Sequence, residues 1–175
     1  MRRGGAVRGA GAILLLAAGV AAGCGYSFSG SSLPSHLRTI AVPIFRNESL
    51  DPTIAEEVTR GISDRFLEDN RLKVAREATA DCLLEGRVLY YERKVYGYTA
   101  DQDPETYIVV VRVAVVLKDR VKNRDLWSNE RLEATATYPA SGASGGGLPA
   151  NEAEARQEAI KTLAQDILAH SLEQW

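Results

Sequence analysis

The stretch Tyr107-Ile108-Val109-Val110-Val111-Arg112-Val113-Ala114-Val115-Val116-Leu117-Lys118 decides the fold. Its β-branched residues alternate so that Tyr107, Val109, Val111, Val113, Val115 and Leu117 share one side of a strand, while Arg112 and Lys118 mark the other. Such a pattern predicts a sheet with one face packed on a second layer. Upstream, Asp81 to Lys94 reads as another long strand. Cys82, Leu84, Val88 and Tyr90 fall on one face, and Leu83, Glu85, Arg87, Leu89 and Tyr91 on the other. Downstream, a turn rich in Arg120, Lys122, Asn123 and Arg124 leads to a strand from Asp125 to Tyr138, with Leu126, Leu132, Ala134, Ala136 and Tyr138 in phase. Successive strands joined by local loops predict an antiparallel meander.

The second layer is helical. Asp51-Pro52 predicts an N-cap followed by proline at the first helical position, and Ile54, Val58, Ile62 and Phe66 recur every four residues after it. Its polar face mixes acids with bases, which favours packing on a core over lying on a membrane. A second helix begins near Asn151 and carries Ile160, Leu163, Ala164, Ile167 and Leu168 on one stripe, with Glu152 and Glu154 in its first turn. Thr39 to Phe45 is a short strand, placed at an edge or bulge by Pro43, and Leu72 and Val74 suggest a further extended piece. Pro139 to Pro149, with Gly145-Gly146-Gly147, breaks all periodicity and is expected to be a mobile loop. The expectation is an α+β two-layer sandwich: a mixed or antiparallel sheet of about four strands, with two amphipathic helices packed on one face.

The 175 residues are 45% hydrophobic and 25% charged, the make-up of one ordinary domain, and the net charge of −2 argues against a nucleic-acid partner. The first residues stand apart. Arg2, Arg3 and Arg8 precede an uncharged apolar run from Ala12 to Ala22, too short to span a bilayer and typical of an export signal. Ala21-Ala22-Gly23-Cys24 resembles the bacterial lipobox, with Ala21 where leucine is commoner. On this reading residues 1–23 are removed and Cys24 carries the lipid, including the palmitate-type acyl chains of such anchors. The alternative is an ordinary secretory signal with a chance cysteine. Several acyl chains anchor a protein stably without making it span the membrane. Residues 24–36 then form a lipidated N-terminus and tether, whose Tyr26 and Phe28 are expected to dock on the domain, and 37–175 a single domain.

Nothing in the chain has the spacing of a catalytic or metal site, so no enzyme and no cofactor are expected. His36 and His170 lack ligand-spaced partners. Asp101, Asp103 and Glu105 start like a calcium loop, but Thr106 and Arg112 stand where glycine and glutamate are needed. Leu148-Pro149 after the glycine run rules out a phosphate cradle. Cys82, beside Leu83 and Leu84, reads as a small buried apolar residue that has no disulfide partner if Cys24 is acylated.

Taken in order, Cys24-Gly25-Tyr26-Ser27-Phe28, Leu33-Pro34, Thr39-Ile40-Ala41-Val42-Pro43-Ile44-Phe45-Arg46-Asn47, Phe66-Leu67-Glu68-Asp69 and Ala80-Asp81-Cys82-Leu83-Leu84-Glu85-Gly86 resemble the LPS-assembly lipoprotein family, LptE. The resemblance implies an outer-membrane lipoprotein, anchored on the periplasmic side, that plugs and supports assembly of an LptD-like β-barrel and assists lipopolysaccharide transport. Gly25, in place of an aspartate, fits the outer-membrane address of such lipoproteins. Contact with the phosphorylated lipid needs Lys or Arg at a loop tip. Arg93 and Lys94 come first, and Arg120, Lys122 and Arg124 second, with solubilising strand-end charges as the alternative reading. The rival functional class is a lipoprotein adaptor of another envelope machine, a secretion pore or a cell-wall synthase. A solute-binding or enzymatic lipoprotein would need a concave polar pocket that the sequence gives no reason to expect.

Overall fold

The computed structural model describes residues 34–142 and 147–173. Cys24 and the docking expected of Tyr26 and Phe28 therefore lie outside the described residues. Along the chain come β1 (Thr39–Ala41), β2 (Arg46–Asn47), α1 (Ile54–Asp69), β3 (Lys73–Val74), a 3₁₀ turn (Glu77–Thr79), β4 (Cys82–Tyr98), β5 (Pro104–Asp119), β6 (Arg124–Pro139) and α2 (Glu152–Glu173). The sheet order is β3-β1-β4-β5-β6, with β2 also paired to β4. β4, β5 and β6 form the expected antiparallel meander, and β1, β2 and β3 pair in parallel. The class is α+β, with both helices on one sheet face. Six strands are present instead of about four, because the 39–45 segment splits and Lys73–Val74 joins the ladder.

Pro43 explains the split. It has no amide hydrogen for a ladder, so the chain leaves the sheet after Ala41 and returns at Arg46. The break lies next to a central strand and not at the sheet edge, since β1 sits between β3 and β4. In the gap Phe45 turns its ring inward over Gly86, where a Cβ would stand only 2.2 Å from the ring. The freed Phe45 amide donates to Thr59 Oγ1 of α1 at 3.0 Å, so no donor is stranded by the break.

On α1 the four-residue stripe of Ile54, Val58, Ile62 and Phe66 is fully buried, each such side chain contributing roughly 1.5–3 kcal/mol of apolar burial. The helix begins two residues later than the sequence suggests: Thr53 holds the cap position, and Pro52 precedes the helix. Asp51 still does the capping, because its Oδ1 accepts from the amides of Thr53 (2.8 Å) and Ile54 (3.2 Å). At the far end Asn70, at φ 58°, closes the helix by donating to the Phe66 carbonyl. Asn151 caps α2 as expected, accepting from the Glu154 amide at 3.0 Å, while Glu154 reaches back to the Ala150 amide at 2.9 Å. The helices meet where Gly61 faces Ile160, whose Cγ2 would lie 2.5 Å from a Cβ on Gly61.

Of five register shifts in the meander, two decide the placement of the aromatic side chains. Val88 pairs with Val113, but the next pair is Tyr90 with Arg112, leaving Leu89 extra. Tyr91 therefore faces the helices and Tyr90 the open side, the reverse of strict alternation. In β6 the register slips between Leu132 and Asn129, so Trp127 comes opposite Leu117 on the helix side and stacks on His170 at 5.5 Å. Trp127 was not part of the expected apolar phase. Cys82 is fully buried, its thiol donating to the Thr39 carbonyl at 3.2 Å and pushed up to about 12 by burial.

Candidate functional site

Arg156, on α2, makes four side-chain hydrogen bonds. Its guanidinium meets Asp51 (3.1 Å) ahead of α1, Glu57 (3.0 Å) on α1 and the Tyr91 hydroxyl (3.0 Å) on β4, and lies over the Tyr91 ring at 4.5 Å. Tyr91 donates onward to Glu152 at 2.9 Å. Burial opposes the charge on Arg156, but the bond to Tyr91 and the nearby acids outweigh it and raise its pKa. Burial likewise pushes the Tyr91 hydroxyl up to about 12, so it stays protonated at neutral pH. This cluster fixes both helices to the sheet. Sequence reading missed it because the Leu89 bulge decides which way Tyr91 points.

The sheet face away from the helices is ionic. Lys118 pairs with Glu85 (2.6 Å), Arg87 with Glu48 (3.3 Å) and Glu130 (3.5 Å), and Arg112 with Glu133 while lying over the Tyr90 ring at 5.1 Å. Tyr90 also donates to Glu92. Each exposed pair adds little stability. Val110 and Ala114 are buried on this side as well, and the charged groups around them are largely ion-paired. A groove of about 470 Å³ crosses it, lined by Ile44, Arg46, Glu77, Glu85, Arg87 and Glu130 among others.

The basic candidates do not converge. Arg93 faces the helix side, over the Tyr107 ring at 4.9 Å, bonded to Tyr138 and 3.6 Å from Glu152, whereas its neighbour Lys94 projects to the open face and has no ion pair among the described residues. Arg120, Lys122 and Arg124 sit at the opposite end of the sheet. From Val109, opposite Arg93, β5 runs ten residues to Asp119, roughly 33 Å at ~3.3 Å per residue.

That second end has its own anchor point. His36, expected in the tether, has its Nε2 2.8 Å from Oδ2 of Asp119, whose side chain is fully buried. The amides of Val121 and Lys122 donate to the other Asp119 oxygen at 2.9 Å each. Burial alone would raise the pKa of Asp119, but these bonds and His36 hold it below the ordinary carboxylate value. The available signal was an aspartate at a strand end ahead of a turn, where a carboxylate bonds amides two residues on.

Among the described residues no three His, Cys, Asp or Glu side chains are placed to hold a metal ion, and no helix is long and apolar enough to cross a membrane. What the geometry defines is a small α+β domain with one face sealed by helices, one face ionic, and basic side chains divided between two ends. The family model for LptE, lipopolysaccharide assembly, matches residues 37–171, and the chain belongs to that family. It is a family of non-enzymatic lipopolysaccharide-assembly lipoproteins. No curated protein sequence matches the chain significantly. Among solved structures, the chain is similar to the dodecamer of a leucine-to-methionine variant of PelC from Paraburkholderia phytofirmans, at 18% identity and TM-score 0.51, over 82% of this chain and 95% of that one. It is also similar to a hypothetical protein from Chlamydia trachomatis, at 13% identity and TM-score 0.53, over 77% and 95% of the two chains. At these identities the likeness is one of fold.

Proposed function

We propose that this protein is an outer-membrane lipoprotein, acylated at Cys24 and held on the periplasmic side, that plugs and supports assembly of an LptD-like β-barrel and assists passage of lipopolysaccharide to the cell surface. The family match over residues 37–171 carries the reading. The ionic open face supports it, because a barrel of this kind has a polar interior and a surface whose charges are mostly paired can enter it with little unpaired charge buried. The work is steric and electrostatic, with no bond made or broken.

Purification of the tagged protein from detergent extracts tests the partner. A large β-barrel should co-purify in comparable amount; a secretion-ring or cell-wall-synthase subunit in its place would favour the adaptor reading. Cys24→Ala should abolish incorporation of labelled palmitate and release the protein from the outer membrane.

Lipopolysaccharide contact falls to Arg93 and Lys94 in this reading. Replacing both by Glu should weaken binding of the purified lipid by roughly tenfold or more, the scale of one lost charge-assisted bond, and leave barrel association intact. Lys94→Glu alone, which spares the Arg93–Glu152 contact, should show part of that loss. Unchanged binding in both variants would make them strand-end charges.

A further inference from the structure

The end of the sheet where the tether arrives gathers cations from three separate segments. Arg38 precedes β1, Lys73 opens β3 opposite Thr39, and Arg120, Lys122 and Arg124 surround the β5–β6 turn. All five are exposed, and Val121, 60% exposed, projects among them. The local acids are largely occupied. Asp81 accepts from the Arg38 and Thr39 amides and the Thr39 hydroxyl, and Asp119 from His36 and two turn amides, with Arg124 3.9 Å away. Asp125 is the exposed acid at the turn. Arg120 spends one nitrogen on the Glu77 carbonyl, while Lys73 and Lys122 have no ion-pair partner among the described residues.

Chain length says what faces this end. Nine residues separate Cys24 from Pro34, a reach of about 35 Å at most. Since His36 is bonded to Asp119, an anchor at Cys24 keeps the β5–β6 end within about 35 Å of the bilayer, whereas the tip of the β4–β5 hairpin lies roughly 50 Å from that end, at ~3.3 Å per residue along β4, and is under no such constraint. A tether of that reach lets this excess of Lys and Arg approach the membrane, and within a Debye length of the surface it attracts anionic lipid.

Resting on the acylation of Cys24 proposed above, we infer that Arg38, Lys73, Arg120, Lys122 and Arg124, with Val121 at the tip, form a docking surface for anionic phospholipid headgroups of the leaflet that holds the anchor. The two basic ends then have different ligands. Arg93 and Lys94 meet lipopolysaccharide, and the β5–β6 end meets the phospholipid surface and sets the domain's orientation upon it.

The test uses the acylated protein reconstituted in vesicles, with Val121→Cys carrying an environment-sensitive fluorophore; the buried Cys82 thiol does not compete for label. A second preparation is labelled at Tyr98→Cys, on the far hairpin. With a headgroup-level quencher, the label at 121 should be quenched several-fold more when one third of a neutral phosphatidylcholine bilayer is replaced by phosphatidylglycerol, and the label at 98 should not change. Raising salt from about 0.1 M to about 1 M, which shortens the Debye length from ~10 to ~3 Å, should remove the difference, as should Lys73→Glu with Lys122→Glu. Flotation with neutral vesicles reads the anchor separately. Failure to float overturns the acylation and this inference with it. Flotation with no anionic dependence at 121, or equal quenching at 98, overturns the docking surface alone. A response to vesicles carrying lipopolysaccharide but not to phosphatidylglycerol would transfer the site to that lipid and overturn the assignment to phospholipid.

Discussion

Arg156 shows how much of this fold depends on one planar, five-donor side chain. It ties a loop before α1, the body of α1, and β4 to the helix that carries it. Lysine cannot replace it, because an ammonium offers one point of charge where three acceptors stand in different directions. Arg156→Ala should destabilise the domain by about 2–3 kcal/mol in urea unfolding, since it removes charge-assisted bonds and leaves Asp51 and Tyr91 part-buried without their partner. Arg156→Lys should recover less than half of that. A loss within about 0.5 kcal/mol would mean the cluster is only surface decoration.

Between the two helices, Gly61 lies close against Ile160. Gly61→Ala gains helix propensity yet drives a methyl into Ile160 Cγ2, and a net loss of about 1–2 kcal/mol is expected in denaturant titrations. Ile160→Ala in the same chain should cancel the clash and give clear non-additivity in a double-mutant cycle. Simple addition would show that the helices separate at no cost. Elements of this kind were legible in the sequence to the extent that their period was unambiguous. The β5 alternation and the α1 stripe both appear where expected, down to single residues. The bulges were not legible, because Leu89, Tyr90 and Tyr91 are all apolar enough to sit on either face, and the polar run Asn129-Glu130-Arg131 absorbs an extra residue without disturbing any apolar position. The candidate site suffered from the same ambiguity: charge marked Arg93 and Lys94 as a pair, and the strand pleat puts them on opposite faces. Arg120, Lys122 and Arg124 were recognisable as a cluster because a short turn keeps neighbours together whatever the register.

Over the whole molecule, Asp51, Asp69, Asp81 and Asp119 are all held below the ordinary carboxylate value. For Asp51 and Asp119 burial opposes this and bonds to neighbours outweigh it; for Asp69 the Arg71 bond dominates, and for Asp81 the Arg38 amide. A carboxyl whose folded pKa lies under its unfolded one binds fewer protons when folded, so its stabilisation is complete above the unfolded value, near 3.8, and disappears as pH falls through the lower folded value. The urea midpoint should therefore hold steady from about pH 7 to 5 and drop steeply below about pH 4. Asp119→Asn should lower it at neutral pH and flatten the acid limb. A midpoint that climbs on acidification would contradict the bonding described for these four groups.

The parallel strands have a consequence for the order of events during synthesis. β1 finds its partners only in β3 and β4, and β2 only in β4, about 34 to 42 residues later, so a chain that emerges amino-terminus first releases its earliest strands long before anything can pair with them. The β4–β5–β6 meander closes through neighbouring contacts and can form as soon as it emerges, which makes it the natural nucleus. Ile40 and Phe45 must wait in the open for it, so a holding chaperone would find its apolar target in the segment that carries β1 and β2.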